Sequence, residues 1–345
     1  MTKINLNDYG FRPIETNDMP ARVIATHRER YDLVCEHGEI SAYLKTSIYY
    51  IEFPTEEYPT TGDFVLIQYN PIGESIIIKT LERKSEFIRS DGWSITGKQV
   101  IAANFDYVFI MASLNNDFNL KRIERYLTMA WQSRAVPVII LTKSDLIEDF
   151  TDKLRAVEKF APGVGVYAVS AVTGYGIDML GEYLKPGKTI VFLGSSGVGK
   201  SSLLNALAGE ELMEVNVTRN VDASKGRHTT TYRQLIMLNS GVMIIDTPGM
   251  RELGMFDAGD GLSDVFSDIE NYLGKCKFSD CKHQSEPGCA IKAAIESGEL
   301  SAARWQRYSQ LNNENNFSRR AKQIRNKNIA KFSRERKKFN KEDYS

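Results

Sequence analysis

At 345 residues, 42% hydrophobic and 26% charged, the chain has the composition of a folded protein of two or three domains rather than a fibrous or disordered one. Its best apolar runs, 107–112 and 136–141, are strand-sized and far short of the roughly 20 residues that span a bilayer, so no membrane partner is expected. The formal net charge of zero conceals an acidic body and a basic tail, since residues 301–345 hold 13 Lys and Arg against 4 Asp and Glu. Such a tail suits an anionic polymer, most often nucleic acid, the plainer alternative being a solvated end.

The N-terminal stretch, with Asn5, Asn7, Asp8 and Glu15, lacks the basic-then-apolar layout of a secretory signal, and a cytoplasmic location is expected. From Ala21 to about Lys84, short β-rich runs alternate with turn signals: 22–26, 31–36, 40–44, 63–69 and 75–81. Five strands at this spacing fit a small barrel such as an OB-fold. Cys35, inside an apolar run, reads as a buried core thiol.

From Ala103 apolar strands alternate with helical patterns. Strands are expected at 107–113, 136–141, 166–170, 189–193, 234–238 and 242–245, with helices around 120–134, 151–160, 177–184 and from Lys200 onward. This is the pattern of an α/β domain with a mainly parallel sheet. The polar stretch 212–232 lacks periodicity, as functional loops often do. Beyond Gly254 the sequence turns helical around a Cys/His cluster. The expected division is a barrel with its N-terminal extension in 1–88, a nucleotide-binding α/β domain in 89–255, and a helical metal-binding domain with the basic tail in 256–345.

The segment Gly194-Ser195-Ser196-Gly197-Val198-Gly199-Lys200-Ser201 lies between a predicted strand and a helix, the setting of a phosphate-binding loop. Its backbone N–H groups and the helix start suit phosphates, Lys200 suits the β- and γ-phosphates, and the Ser201 hydroxyl suits Mg2+. Ser202 follows in the first helical turn. Asp246-Thr247-Pro248-Gly249 closes a strand in the D-x-x-G form of a nucleotide switch, Asp246 near the metal's water and Gly249 near the γ-phosphate. Between them, Gly226-Arg227-His228-Thr229-Thr230-Thr231 offers a threonine to cover Mg2+, with Thr229 and Thr230 as the candidates.

Thr142-Lys143-Ser144-Asp145 follows a strand, where the Asp145 carboxylate matches the two donors of guanine N1 and N2 and Lys143 packs along the ring. Adenine lacks that donor pair, which sets an ATPase reading aside. Ser170-Ala171 ends another strand and offers a backbone N–H to guanine O6. Met250 stands after Gly249, and a thioether cannot orient water, so His228 is the nearest candidate catalytic group. Slow intrinsic hydrolysis, stimulated by a partner, is expected. The base-reading segment precedes the phosphate loop, the reverse of ordinary GTPases, so if both serve one pocket the domain is circularly permuted. Cys276, Cys281, His283 and Cys289 supply three thiolates and an imidazole, a closed tetrahedral set for one structural Zn2+.

The order TKSD, SA, GSSGVGKSS, GRHTTT, DTPG, after a barrel and before C-x4-C-x-H-x5-C, resembles the RsgA (YjeQ) family of circularly permuted GTPases over roughly residues 20–320. The resemblance implies an OB-fold, a permuted GTPase domain and a C-terminal zinc domain. It also implies GTP and GDP as ligands, Mg2+ as cofactor, and late maturation of the small ribosomal subunit with its rRNA as partner. It places the catalytic histidine at His228. Nothing in the sequence demands more than a monomer. Thr142 departs from the family's Asn, replacing an amide that ties base loop to phosphate loop by one hydroxyl, so guanine affinity is expected to fall while selectivity through Asp145 survives. The alternative reading is a guanine-nucleotide-regulated RNA-binding assembly or stress-response module in which hydrolysis is incidental.

Overall fold

The computed structural model describes residues 3–27, 30–45, 58–90, 98–213, 234–246, 262, 265–284, 286–313 and 316. The chain divides into two compact units, Met1–Tyr126 with Ser133–Gly254, and Leu127–Gln132 with Met255–Ser345. Among the described residues no helix is long and apolar enough to cross a membrane.

The first unit begins with β1 (Met19–Thr26), β2 (Tyr31–Cys35), β3 (Gly38–Leu44), β4 (Phe64–Gln68) and β5 (Ser75–Thr80). They pair as β1-β2-β3-β5-β4, and β4 returns to β1, which closes a five-stranded barrel. Period-2 alternation fills it: Ala21, Val23, Leu33, Cys35, Val65, Ile67 and Ile77 form its core. Cys35 is fully buried, and burial pushes its thiol above the ordinary range.

A hairpin of β6 (Glu86–Ser90) and β7 (Lys98–Ala103) follows. Sequence reading missed it, because its mixed polar and apolar residues carry no clean alternation and a bulge between Phe87 and Ile88 breaks the register.

Then come β8 (Tyr107–Ser113), α1 (Leu120–Gln132), β9 (Val136–Thr142), α2 (Thr151–Phe160), β10 (Gly165–Ala168), β11 (Thr189–Gly194), α3 (Lys200–Ala208), β12 (Gln234–Met237) and β13 (Met243–Asp246). The expected helix at 177–184 is a 3-10 turn over Asp178–Glu182. Glycines at 176 and 181 and the following Pro186-Gly187 leave too few good helix formers to propagate an α-helix. Strand order is β10-β9-β8-β11-β13-β12, all parallel except β12. β11 is central and buried at every position, which is why its sequence TIVFLG reads as a continuous apolar run rather than an alternation.

β1 also pairs antiparallel with β12, so barrel and parallel sheet share one eleven-stranded sheet. Arg22, between the inward Ala21 and Val23 of β1, therefore points out of the barrel and into the first unit's interior, 1% exposed. Its guanidinium donates to the carbonyls of Tyr9, Gly62 and Asn104, to Thr189 Oγ1 at 2.9 Å and to Met243 Sδ at 3.1 Å. Burial lowers its pKa to about 10, so it stays charged at neutral pH. Thr189 and Met243 open β11 and β13, so one side chain of the barrel holds the roots of the two strands that lead to the phosphate loop and the D-x-x-G segment.

The second unit holds α4 (Ser267–Glu270), the cysteine loops, α5 (Ala290–Glu296) and a helix over 302–313. Arg304 joins its parts, pairing with Asp268 at 2.5 Å and lying over the Phe266 ring.

Candidate nucleotide site and metal centre

β8, β9 and β11 are parallel neighbours, so their carboxyl ends open on one edge of the sheet, where the strand order reverses around β11. Open α/β sheets bind ligands at such an edge. The phosphate-loop sequence leaves β11 there. Gly194 must be glycine because a Cβ would stand 2.7 Å from Met111 O, and Gly199 because it turns into α3 at φ +105. Among the described residues nothing accepts the backbone N–H groups of Ser196, Gly197, Val198 and Gly199, the arrangement of an anion nest. Lys200 Nζ donates to the carbonyls of Gly194 and Ser195, 2.8 Å each, and so lies across the loop. Ser201 and Ser202 occupy the first turn of α3.

The segment at the end of β9 is tied to this loop twice. Thr142 Oγ1 donates to Val198 O at 2.6 Å, and Lys143 Nζ donates to Gly197 O at 2.7 Å. The hydroxyl of Thr142 thus makes a direct bond between the two loops. Lys143 takes a left-handed backbone, φ 58, costly for a residue with a side chain and held by that second bond. Asp145 is exposed beside it. At Ser170-Ala171 the two amides differ. Ser170 N–H is taken by Tyr175 O at 3.0 Å, and its hydroxyl accepts from Val172 and Thr173, whereas the Ala171 N–H has no partner among the described residues. Ala171 is the free donor of the pair. Asp246 ends β13 opposite Gln234; its side chain, together with His228, Thr229, Thr230 and Gly249, lies outside the described residues.

The four expected metal ligands converge, their ligand atoms all within 4.8 Å of one another. Cys276 Sγ and Cys289 Sγ are each 3.4 Å from His283 Nδ1, Cys281 Sγ is 3.6 Å from it, and the Cys276 and Cys289 sulfurs are 4.0 Å apart. Tetrahedral Zn2+ with bonds of about 2.3 Å to sulfur and 2.0 Å to nitrogen sets those edges at about 3.8 and 3.5 Å, so the donor set fits zinc. The 4.0 Å sulfur separation is far from a disulfide bond. Nδ1 is the inward nitrogen, and His283 reaches it by adopting φ 59. The imidazole meets Trp305 edge-on, ring centroids 5.3 Å apart.

Sequence reading missed two residues beside the phosphate loop. Asp117, in the loop after β8, and Arg122, in the first turn of α1, reach Ser195, more than seventy positions away in the chain. Only the parallel pairing of β8 with β11 brings them there.

A family model described as RsgA GTPase matches residues 80–256. The chain belongs to the RsgA GTPase family. A second model, ABC transporter, matches residues 178–338, a stretch that includes the same phosphate loop. The small ribosomal subunit biogenesis GTPase RsgA 2 of Listeria monocytogenes serotype 4b is 44% identical, over 90% of this chain and 89% of that protein. The small ribosomal subunit biogenesis GTPase RsgA of Streptomyces avermitilis is 43% identical, over 88% and 82%. Among solved structures, YjeQ from Thermotoga maritima has a TM-score of 0.62 at 28% identity, covering 85% of this chain and 96% of that one. YloQ, described as a circularly permuted GTPase, has a TM-score of 0.59 at 26% identity, covering 87% and 96%. As an RsgA-family member the chain is a circularly permuted GTPase with an N-terminal barrel. The order of the motifs in the sheet agrees with that permutation: β9, which ends at Thr142-Lys143-Ser144-Asp145, precedes β11, which ends at the Gly194–Ser201 segment, yet both open on one edge.

Proposed function

We propose that this chain hydrolyses GTP while bound to the small ribosomal subunit and its rRNA, assists the late maturation of that subunit, and is stimulated by it. The observation that carries the nucleotide half is the double tie of Thr142 and Lys143 to Val198 and Gly197, which joins a base-reading loop to a phosphate loop at one strand edge. The names of its relatives support the ribosomal half.

In this reading Asp145 accepts the guanine N1 and N2 donors, the Ala171 N–H meets O6, and the Ser196–Gly199 amides with Lys200 cradle the phosphates. The Ser201 hydroxyl with Thr229 or Thr230, and Asp246 through water, would hold Mg2+, which would supply charge neutralisation to the phosphates. His228 aligns the attacking water, and Gly199 to Ser202 add the positive end of α3. Gly249 reports the γ-phosphate. The division of labour is a barrel in 1–88, the GTPase domain in 89–255 and the zinc domain with its basic tail in 256–345, acting in the cytoplasm as a monomer. The switch segment runs directly into the zinc domain in sequence, so loss of the γ-phosphate is transmitted to it and releases the subunit.

Purified protein should sediment with small but not large ribosomal subunits in the presence of a non-hydrolysable GTP analogue, and less with GDP. An unchanged GTPase rate on adding small subunits would refute the partner-dependent part. His228→Ala should abolish hydrolysis while leaving GTP binding within about twofold.

A further inference from the structure

Beside the phosphate loop stands an ion pair that none of these roles uses. The loop after β8 is folded by its own side chains. Asn115 Oδ1 accepts from Ser113 Oγ at 2.8 Å and from the Asp117 N–H at 3.1 Å, and Asn119 Oδ1 accepts the Arg122 N–H at 3.1 Å to cap α1. Asp117 and Arg122 are thereby set against the second residue of the phosphate loop. Arg122 Nη1 donates to Asp117 Oδ2 at 2.8 Å and to Ser195 Oγ at 3.3 Å, and the Ser195 hydroxyl donates to Asp117 Oδ2 at 3.2 Å.

Stability does not account for this arrangement. The two side chains are 35% and 49% exposed, and surface ion pairs contribute little. A carboxylate touching a phosphate-binding loop is adverse to a polyphosphate unless a cation offsets it, and Arg122 is the cation in contact. Its hydrogen bond is the main cause that holds the Asp117 carboxyl below the ordinary carboxylate range, so the pair is ionised at neutral pH. All the described bonds of the Arg122 side chain run through Nη1. Its Nε and Nη2 donors meet no acceptor among the described residues, and a guanidinium edge with free donors matches a phosphate.

Position selects which phosphate. Lys200 serves the β- and γ-phosphates in the reading above, and its Nζ lies at the carbonyls of Gly194 and Ser195, so the terminal phosphate falls toward the Ser195 end of the loop. We propose that Arg122 is a specificity-determining residue of the GTPase site: held ready by Asp117 and Ser195, it turns its free donors to the terminal phosphate and so tells a triphosphate from a diphosphate. The proposal rests on the nucleotide-site reading.

The test is calorimetric titration of the full-length protein with GDP and with a non-hydrolysable GTP analogue. Wild-type protein that binds neither would sink the site reading itself, before Arg122 is in question. With wild-type binding established, Arg122→Ala should raise the Kd of the analogue about tenfold and leave that of GDP within about twofold. Asp117→Asn, which removes the competing carboxylate charge, should leave the analogue's Kd unchanged or lower. Equal weakening of both nucleotides by Arg122→Ala, no weakening of either, or an Asp117→Asn variant that behaves like Arg122→Ala would each overturn the proposal. Arg122→Gln keeps the side chain's length without its charge and is judged by the same ratio if the alanine variant does not fold.

Discussion

Replacing Thr142 by valine tests the joint between the two nucleotide loops, because valine keeps the shape and loses the donor. Thr142 is 4% exposed, and its hydroxyl lies 2.6 Å from Val198 O, with Ala112 O at 3.4 Å as a weaker second acceptor. A neutral hydrogen bond of this kind contributes about 0.5–1.5 kcal/mol net. If all of it is lost from the binding-competent arrangement, the Kd for GDP rises about 2- to 13-fold. The Lys143 bond to Gly197 O remains and still aligns the base loop, so the expected value is in the lower half of that range, about threefold. Calorimetry with GDP and ADP reads both affinity and selectivity. Preference for guanine should persist, since Asp145 is untouched. An unchanged GDP affinity, or a loss of guanine preference, would refute the reasoning that this hydroxyl substitutes for the missing amide.

Asp145→Asn should weaken GDP binding on the order of 100-fold, about 3 kcal/mol, through loss of two charge-assisted hydrogen bonds, and should shift preference toward xanthine nucleotides, whose base edge matches an amide; nucleotide competition measures it. The protein should carry one zinc per chain by elemental analysis, and Cys289→Ser or strong chelation should remove it and reduce the helical circular dichroism of the second unit, because structural zinc contributes about 10 kcal/mol or more to folding. Arg22→Leu should destabilise the first unit by about 3 kcal/mol in urea unfolding, since it leaves the carbonyls of Tyr9, Gly62 and Asn104 buried without their donor. A loss under about 1 kcal/mol would mean that the buried charge costs as much as its bonds return.

The barrel strands were legible because a half-buried strand alternates, and Ala21, Val23, Leu33, Cys35, Val65 and Ile67 do so. β8, β9 and β11 were legible for the opposite reason, as continuous apolar runs bounded by chemistry-bearing residues at their ends. The zinc ligands were legible from donor type and spacing, although neither the inward Nδ1 of His283 nor its left-handed backbone was.

What stayed hidden depends on contacts between distant segments. Arg22 reads as one more exposed strand residue until β12 pairs with β1 and Thr189 and Met243 close over it. Asp117 and Arg122 read as a polar loop and a helix start until β8 lies beside β11. The 177–184 segment has helical spacing, but Gly181 within it and Gly176 and Pro186 at its edges leave it a 3-10 turn, and the β6–β7 hairpin breaks its alternation with a bulge.

The central claim is that Asp145 and Lys200, on loops that leave β9 and β11, hold opposite ends of one guanine nucleotide. A crystal structure with a non-hydrolysable GTP analogue tests it most directly. The account requires the Asp145 carboxylate at hydrogen-bonding distance from guanine N1 and N2 while Lys200 Nζ contacts the β- and γ-phosphates of the same molecule. Electron density placing the base away from Asp145 with the phosphates still at Lys200, or the nucleotide in another part of the fold, would contradict it.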